Sequence, residues 1–300
     1  MAGNGDEQSP HEQSRIRELI SSASSVIGPA GAATALLFYF GYASSRAQYE
    51  YFGLDVDTIG LGTQDFVMRS PQPLLVPLLA LGLTSAAVAG IHTSIRRRID
   101  ALPADSPVRR PVHSAMLGSV VAGAATLSVG VVMLFAYGNL RDWRPYPIFT
   151  SLTLASGAAV TVYSLTLRRV ILGGRRSGNA VLIAVYLILA ASTFWATATL
   201  AQLSGRGSAQ YSALHLDRFP GVILDTKERL HLTSPGVIET TLPVAADQTF
   251  RYRYRNLRLL INGRDRLFLV PDVWSPSNST LMIMISSDVR VQFRFQNDPP

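Results

Sequence analysis

Four carboxylates crowd one short stretch of this 300-residue chain: Glu50, Asp55, Asp57 and Asp65, inside RAQYEYFGLDVDTIGLGTQDFVMRS at 46–70. Acidic oxygens at such spacing are the raw material of a hard-cation site, and Asp55-x-Asp57 is how many oxygen-ligand loops begin. The glycine and distal glutamate that complete an EF-hand are missing. A solvated loop, or one paired to arginines elsewhere in the chain, accounts for the same residues without a metal. His215, Asp217, Asp225 and His231 form a second cluster in sequence, but alternating strand placement and the want of a further ligand argue against a metal or acid–base site. The third chemical feature is a recurrence of arginine at 251, 253, 255, 258, 264, 266, 290 and 294. Such a row can face lipid headgroups, envelope polymers or an acidic partner. Twelve basic residues stand against nine acidic ones over 202–300, so an ion-paired, solvated face explains the row equally well.

Several chemistries are excluded outright. The chain holds no cysteine, which removes disulfides, thiolate nucleophiles and thiolate metal sites. It carries no P-loop, no G-x-S-x-G, no H-E-x-x-H and no glycine fingerprint after a strand. The expectation is a protein that is not an enzyme and uses no metal or cofactor.

The elements that must position these residues fall into two contrasting stretches. Residues 21–201 carry 20 charges in 181 positions and residues 202–300 carry 21 in 99. The first stretch is therefore expected to face lipid and the second water. Five charge-free windows are long enough to cross about 30 Å of hydrocarbon: 21–45, 71–95, 114–140, 145–167 and 177–205. The window at 145–167 is the most polar, with seven serine and threonine side chains, which a spanning helix can satisfy on its own backbone. With five crossings and a cytoplasmic N-terminus, eleven arginines fall inside and only Arg46, Arg69, Arg141 and Arg144 fall outside, as the positive-inside bias requires. Small residues cluster in the spans, for example Gly28, Gly31, Gly118, Gly123 and 155–159, and permit close helix packing within the bundle or against another chain.

The N-terminal tail, residues 1–20, reads as cytoplasmic. No order is expected before Ser9, and Ser9-Pro10-His11-Glu12 reads as a cap, a first-turn proline and an acid at the third position. In 46–70, Thr63 is the expected cap of a short helix, Asp65 and Arg69 lie four apart, and Ser70-Pro71 breaks it before the next span. Its aromatic content predicts a structured segment along the interface or folded back over the bundle.

Residues 206–300 predict a small extracytoplasmic β domain. Val289, Val291, Phe293 and Phe295 alternate with polar residues, as do Phe250, Tyr252 and Tyr254. Asn262-Gly263 marks a hairpin, Ser286-Ser287-Asp288 is read as the turn of another, and a phase slip near Asn256 predicts a bulge. About six strands make an antiparallel sandwich or open barrel. The segments YEYFGLDVDTIGLGTQDFVMRSPQPLLVPL, FPGVILDTKERLHL and YRYRNLRLLINGRDRLFLVPD, with the final alternating strand, resemble multi-pass membrane proteins of Streptomyces-like actinobacteria that have no known activity. That resemblance implies topology and source only.

The expected protein is thus a five-span bundle in the bacterial plasma membrane carrying a β domain outside. Its expected role is non-enzymatic interaction or assembly in the cell envelope, with a passive channel, transporter accessory or membrane-acting effector as the alternative. Its partners are the bilayer and another membrane or envelope protein or a second copy, and no nucleic acid. The candidate contact residues are Glu50, Asp55, Asp57, Asp65, Arg251, Arg253, Arg255, Arg290 and Arg294.

Overall fold

The computed structural model of the chain describes residues 10–100, 109–140, 142–143, 145–172, 179–243, 249–275 and 277–294. The tail before Ser9, the Ser9 cap, Arg141, Arg144, Arg175, Arg176 and Phe295 lie outside the described residues. Among the described residues eight helices come first: α1 (Pro10–Glu50), α2 (Val56–Ile59), α3 (Thr63–Arg69), α4 (Pro71–Asp100), α5 (Arg109–Phe135), α6 (Tyr137–Leu140), α7 (Tyr146–Leu172) and α8 (Asn179–Leu214). A 3-10 turn at Leu216–Arg218 leads into β1 (Gly221–Thr226), β2 (Ile238–Thr241), β3 (Tyr252–Asn262), β4 (Arg266–Pro271), β5 (Leu281–Met284) and β6 (Val289–Arg294).

Among the described residues four helices are long and apolar enough to cross a membrane: Pro71–Arg97, Leu117–Phe135, Tyr146–Arg168 and Ala180–Leu214. The polar window at 145–167 is one of them. Its hydroxyls bond carbonyls one turn back, as Thr153 does to Phe149 at 2.7 Å and Thr161 to Gly157 at 2.7 Å. The window at 21–45 is helical throughout within α1; it is not among the four, and the side chains of its first seven residues, 21–27, lie outside the described residues.

Small residues set the helix contacts. A Cβ on Gly157 would stand 2.5 Å from the Leu127 backbone nitrogen, and one on Gly123 2.7 Å from Thr161 Oγ1, so α5 and α7 touch backbone to backbone. The tightest approaches lie around α1. A Cβ on Gly205 of α8 would stand 2.0 Å from the Ser44 carbonyl of α1, and one on Gly41 1.9 Å from the Phe66 carbonyl of α3. Gly28 and Gly31 meet nothing, and residues 28–36 are exposed.

The six strands form one antiparallel sheet of order β5-β4-β3-β1-β6, with β2 beside β3 off that path. β3 is long enough to pair its first half with β2 and its second half with β4 along one edge, and with β1 along the other. The Asn262-Gly263 hairpin forms as its sequence predicts, joining β3 to β4. The turn expected at Ser286-Ser287-Asp288 does not make one. β5 and β6 sit on opposite edges, and the chain of antiparallel pairings makes them run in the same direction. Backbone bonds explain the switch: Ile285 donates to Asp265 at the β3–β4 turn, while Lys227 beyond β1 donates to Asp288. The five Cα steps from Met284 to Val289 reach no more than about 18 Å. The edges of a flat five-strand path are about 19 Å apart before strand length is counted, so the sheet curls.

Its inner face gathers Val222, Leu224, Tyr254, Leu257, Leu267, Leu269 and Ile283 from β1, β3, β4 and the β5 edge, with Val289 and Val291 of the β6 edge packed against them. The second face of β3 and β4 is apolar too. Leu260, Ile261, Phe268 and Val270 pack there against Tyr49, Phe52, Val56, Ile59 and Phe66 of the 46–70 segment and Ala209 of α8. A register shift between Leu259 and Ile261 swings the end of β3 onto this outer face.

The Gly205 contact yields a test of the α1–α8 packing. Gly205→Ala forces two backbones apart and is expected to cost about 1–3 kcal/mol. Gly82→Ala, whose Cβ would meet nothing within 4 Å, should leave thermal stability in mild detergent unchanged or slightly raised, since alanine is the better helix former.

Candidate interaction surface

The 46–70 segment is built by its polar residues and held by its apolar ones. Asp55 caps α2, its carboxylate accepting the Asp57 N–H at 3.2 Å, and Gly60 ends that helix in the left-handed region at φ 79°. The cap of α3 is Gly62, one residue before the expected Thr63, because the Asp65 carboxylate reaches back to the Gly62 N–H at 2.8 Å. Arg69, expected near Asp65, instead donates to the Tyr49 hydroxyl at 2.6 Å. Burial outweighs that guanidinium's pull and raises the Tyr49 pKa above the ordinary phenol value.

The four candidate acids are therefore occupied locally. Glu50 pairs with Arg46 at 2.7 Å, Asp57 accepts the Tyr42 hydroxyl at 3.1 Å, and Asp55 and Asp65 are caps. Among the described residues no three His, Asp or Glu side chains gather as a metal would need. Among the described residues none of these acids forms an ion pair with the arginine row, although Asp65 and Arg264 line one cleft beside the β3–β4 turn. Among the described residues the 46–70 segment and the β domain meet through apolar side chains and one side-chain hydrogen bond, Thr280 Oγ1 donating to the Phe52 carbonyl at 2.6 Å. Trp274 closes the seam with its ring edge-on to Phe52 at 4.9 Å.

The arginine row divides into clamped and uncommitted members. Asp225 stands directly opposite Arg253 of β3 and Arg290 of β6 in the sheet register. Its carboxylate is fully buried. Arg253 donates to both oxygens at 2.7 and 3.0 Å, and Arg290 donates twice to Oδ2 at 3.1 and 2.6 Å. Arg290 also lies over the Phe250 ring, 5.0 Å from its centroid. The donating Arg253 guanidinium, more than burial opposes it, holds the Asp225 carboxyl below the usual carboxylate range. Arg229 pairs with Glu239, Arg266 with Asp265, Arg258 with Asp272 and Lys227 with Asp288. Arg251, Arg255, Arg264 and Arg294 are exposed and have no acidic partner among the described residues.

This arrangement offers binding chemistry. His215 bonds the Tyr211 carbonyl at 2.8 Å, and the Asp225 carboxylate is taken by two arginines, so the His215–Asp225 cluster does not assemble. The residues that sequence reasoning missed are Leu260, Ile261, Phe268 and Val270, which join the sheet to the 46–70 segment. The signal was present in the unbroken apolar runs at 259–261 and 267–271, since strands covered on both faces lose their alternation.

Removing the shared carboxylate tests the clamp. Asp225→Asn removes the buried negative charge and turns one acceptor oxygen into an NH2 donor facing a guanidinium, and is expected to cost about 1–3 kcal/mol in urea unfolding at neutral pH. Because folding lowers this group's pKa, its stabilisation is present above the unfolded carboxylate range and is lost as pH falls through the folded value. The gap between wild type and Asp225→Asn should shrink on acidification, and a gap constant with pH would count against the ion-pair account.

No protein-family model, curated protein or solved structure matches the chain, so its own geometry is the guide to its function.

Proposed function

We propose that the chain is an integral protein of a bacterial plasma membrane that crosses the bilayer five times and holds a β domain, an open barrel, on the outer side. There it acts without catalysis, by contact with another membrane or envelope protein or with a second copy. The observation that carries this reading is the apolar seam between the 46–70 segment and the outer face of β3 and β4. A head buried against the helix ends is presented in a fixed orientation, as a contact module requires and a tethered one does not.

Helix length and charge support the topology. At 1.5 Å per residue, the 41 residues of α1 reach about 61 Å and the 36 of α8 about 54 Å. Both exceed the roughly 30 Å of hydrocarbon, and Gly205 meets Ser44 where the two helices approach the β domain. The eleven-to-four arginine bias favours five crossings with α1 as the first. A gap of about 500 Å³ beside α4, α5 and α7 is lined mostly by apolar side chains such as Val88, Ile91, Ala115, Val160 and Leu167, with Ser119, Tyr163 and Ser164 and no charged group, and suits acyl chains better than hydrated ions. That favours contact over a conducting pore.

The chain has no cysteine, so single substitutions report position cleanly. With an impermeant maleimide on intact spheroplasts, Ser287→Cys should label at once and Ser106→Cys only after permeabilisation. The opposite pattern would overturn the orientation. Proteoliposomes of the purified protein should show no more ion flux than empty ones, and reproducible conductance would favour the pore reading.

A further inference from the structure

The outer face of β3, β1 and β6 carries the same cross-strand motif twice, and only one copy is filled. In the first, Arg253 and Arg290 flank Asp225. Four residues back along β1, on the same face, Arg258 and Arg294 stand opposite each other with Gly221 between them. The position that holds a carboxylate in one row holds no side chain in the next. A cleft of about 180 Å³ opens there, lined by Arg255, Arg258, Arg294 and Asp272 above the Gly221 backbone.

Three features make this a built site. First, a bulge brings its arginines to one face. Val222 to Leu224 spans two steps on β1 while Leu257 to Tyr254 spans three on β3, and Asn256 takes up the extra residue at φ 62°. Without that residue Arg258 would face inward, because strand side chains alternate. Bulges commonly re-aim side chains in this way beside functional sites. Second, Arg258 is held before any ligand arrives. Its Nε donates to Asp272 and its Nη1 to the carbonyls of Phe219 at 3.0 Å and Asp217 at 3.4 Å, which leaves Nη2 without a partner among the described residues. Third, the glycine is not needed by the fold. Its φ is not positive, and a Cβ there would sit in ordinary contact, 3.5 Å from Arg294 Cβ and 3.7 Å from Arg258 Nη1. Glycine weakens a strand, and one within or at the end of a strand often stands beside a bulge, as here, or where a ligand comes close; at Gly221 it leaves room for a ligand.

We infer that the Gly221 cleft binds a phosphate group, which takes the place that the Asp225 carboxylate fills in the neighbouring row. The charge favours phosphate over a second carboxylate. Two guanidinium groups serve one carboxylate in the filled clamp, whereas three surround the open one and Asp272 offsets a single charge. Guanidinium donors match phosphate oxygens in geometry as well as charge. The phosphate is either soluble or that of a lipid headgroup.

The test uses the full chain, first in detergent and then in nanodiscs. At matched ionic strength, inorganic phosphate should raise the melting temperature of the wild type in a saturable way, while chloride does not. Arg294→Gln, at an exposed edge-strand position, should weaken that response about tenfold. Gly221→Asp should supply the missing carboxylate internally, abolish the response and melt no lower than the phosphate-free wild type. If Gly221→Asp does not fold, Arg294→Gln decides alone. A phosphate response blunted in phosphatidic acid nanodiscs relative to phosphatidylcholine ones assigns the site to a headgroup, and an equal response assigns it to soluble phosphate. Indistinguishable effects of phosphate and chloride in both settings, or a full response in a folded Gly221→Asp or in Arg294→Gln, would overturn the inference. None of these readouts depends on membrane sidedness, so failure here leaves the topology standing, and the reverse holds.

Discussion

The β3–β4 hairpin is apolar on both faces, and the rest of the molecule is arranged around covering the second one. Curling the sheet buries Leu257, Leu267 and Leu269 on the inside. Nothing within the sheet can cover Ile261, Phe268 and Val270 on the other side. The 46–70 segment does so with Phe52, Val56, Ile59 and Phe66, each no more than 5% exposed. Burying a side chain of that size is worth about 1.5–3 kcal/mol. The connection between the first two long helices is therefore part of the β domain's core, although some 150 residues separate the two in the chain.

That requirement explains features that look unrelated in sequence. The segment must present a fixed apolar surface, so its two short helices need firm ends, and its acids supply them at Asp55 and Asp65. It must lie close to α1, and Gly41 removes the side chain that would hold Phe66 away. α8 must deliver the chain to β1 beside the same seam, and Gly205 lets it run against α1 on the way. Ala209 and Leu216 then enter the shared cluster. Carboxylates that look like a cation site are, in this setting, the scaffolding of a hydrophobic contact.

Much of the fold was legible because its signals are local. Charge-free length marks the long helices, alternation marks β3 and β6, Asn262-Gly263 marks its hairpin, and the phase slip near Asn256 marks the bulge that the register contains. What failed was decided by partners distant in sequence. Ser286-Ser287-Asp288 has good turn composition, but Ile285 and Asp288 are bonded by residues at Asp265 and Lys227, on different edges of the sheet, so the chain bends across without reversing. Thr63 lost its cap to Gly62 through a side chain further along the helix. The candidate arginines read as one row, yet two are committed to Asp225, whose burial no local pattern announces.

The division of that row follows from electrostatics once the register is known. Arginines stacked on one face of three neighbouring strands repel, and like charges directly opposite one another destabilise a sheet. One row resolves this with a carboxylate between its arginines, at the cost of burying Asp225 and spending two guanidinium groups on it. In the other, Asp272 engages only Arg258, and Gly221 leaves the space between Arg258 and Arg294 unfilled. A bulge that brings Arg258 to this face, in place of one that hides it, raises the local positive charge. Stability alone would favour a side chain at Gly221 that neutralises it. The fold keeps the charge, the room and the ordered donor together, a combination that makes physical sense where an anion from outside completes the row.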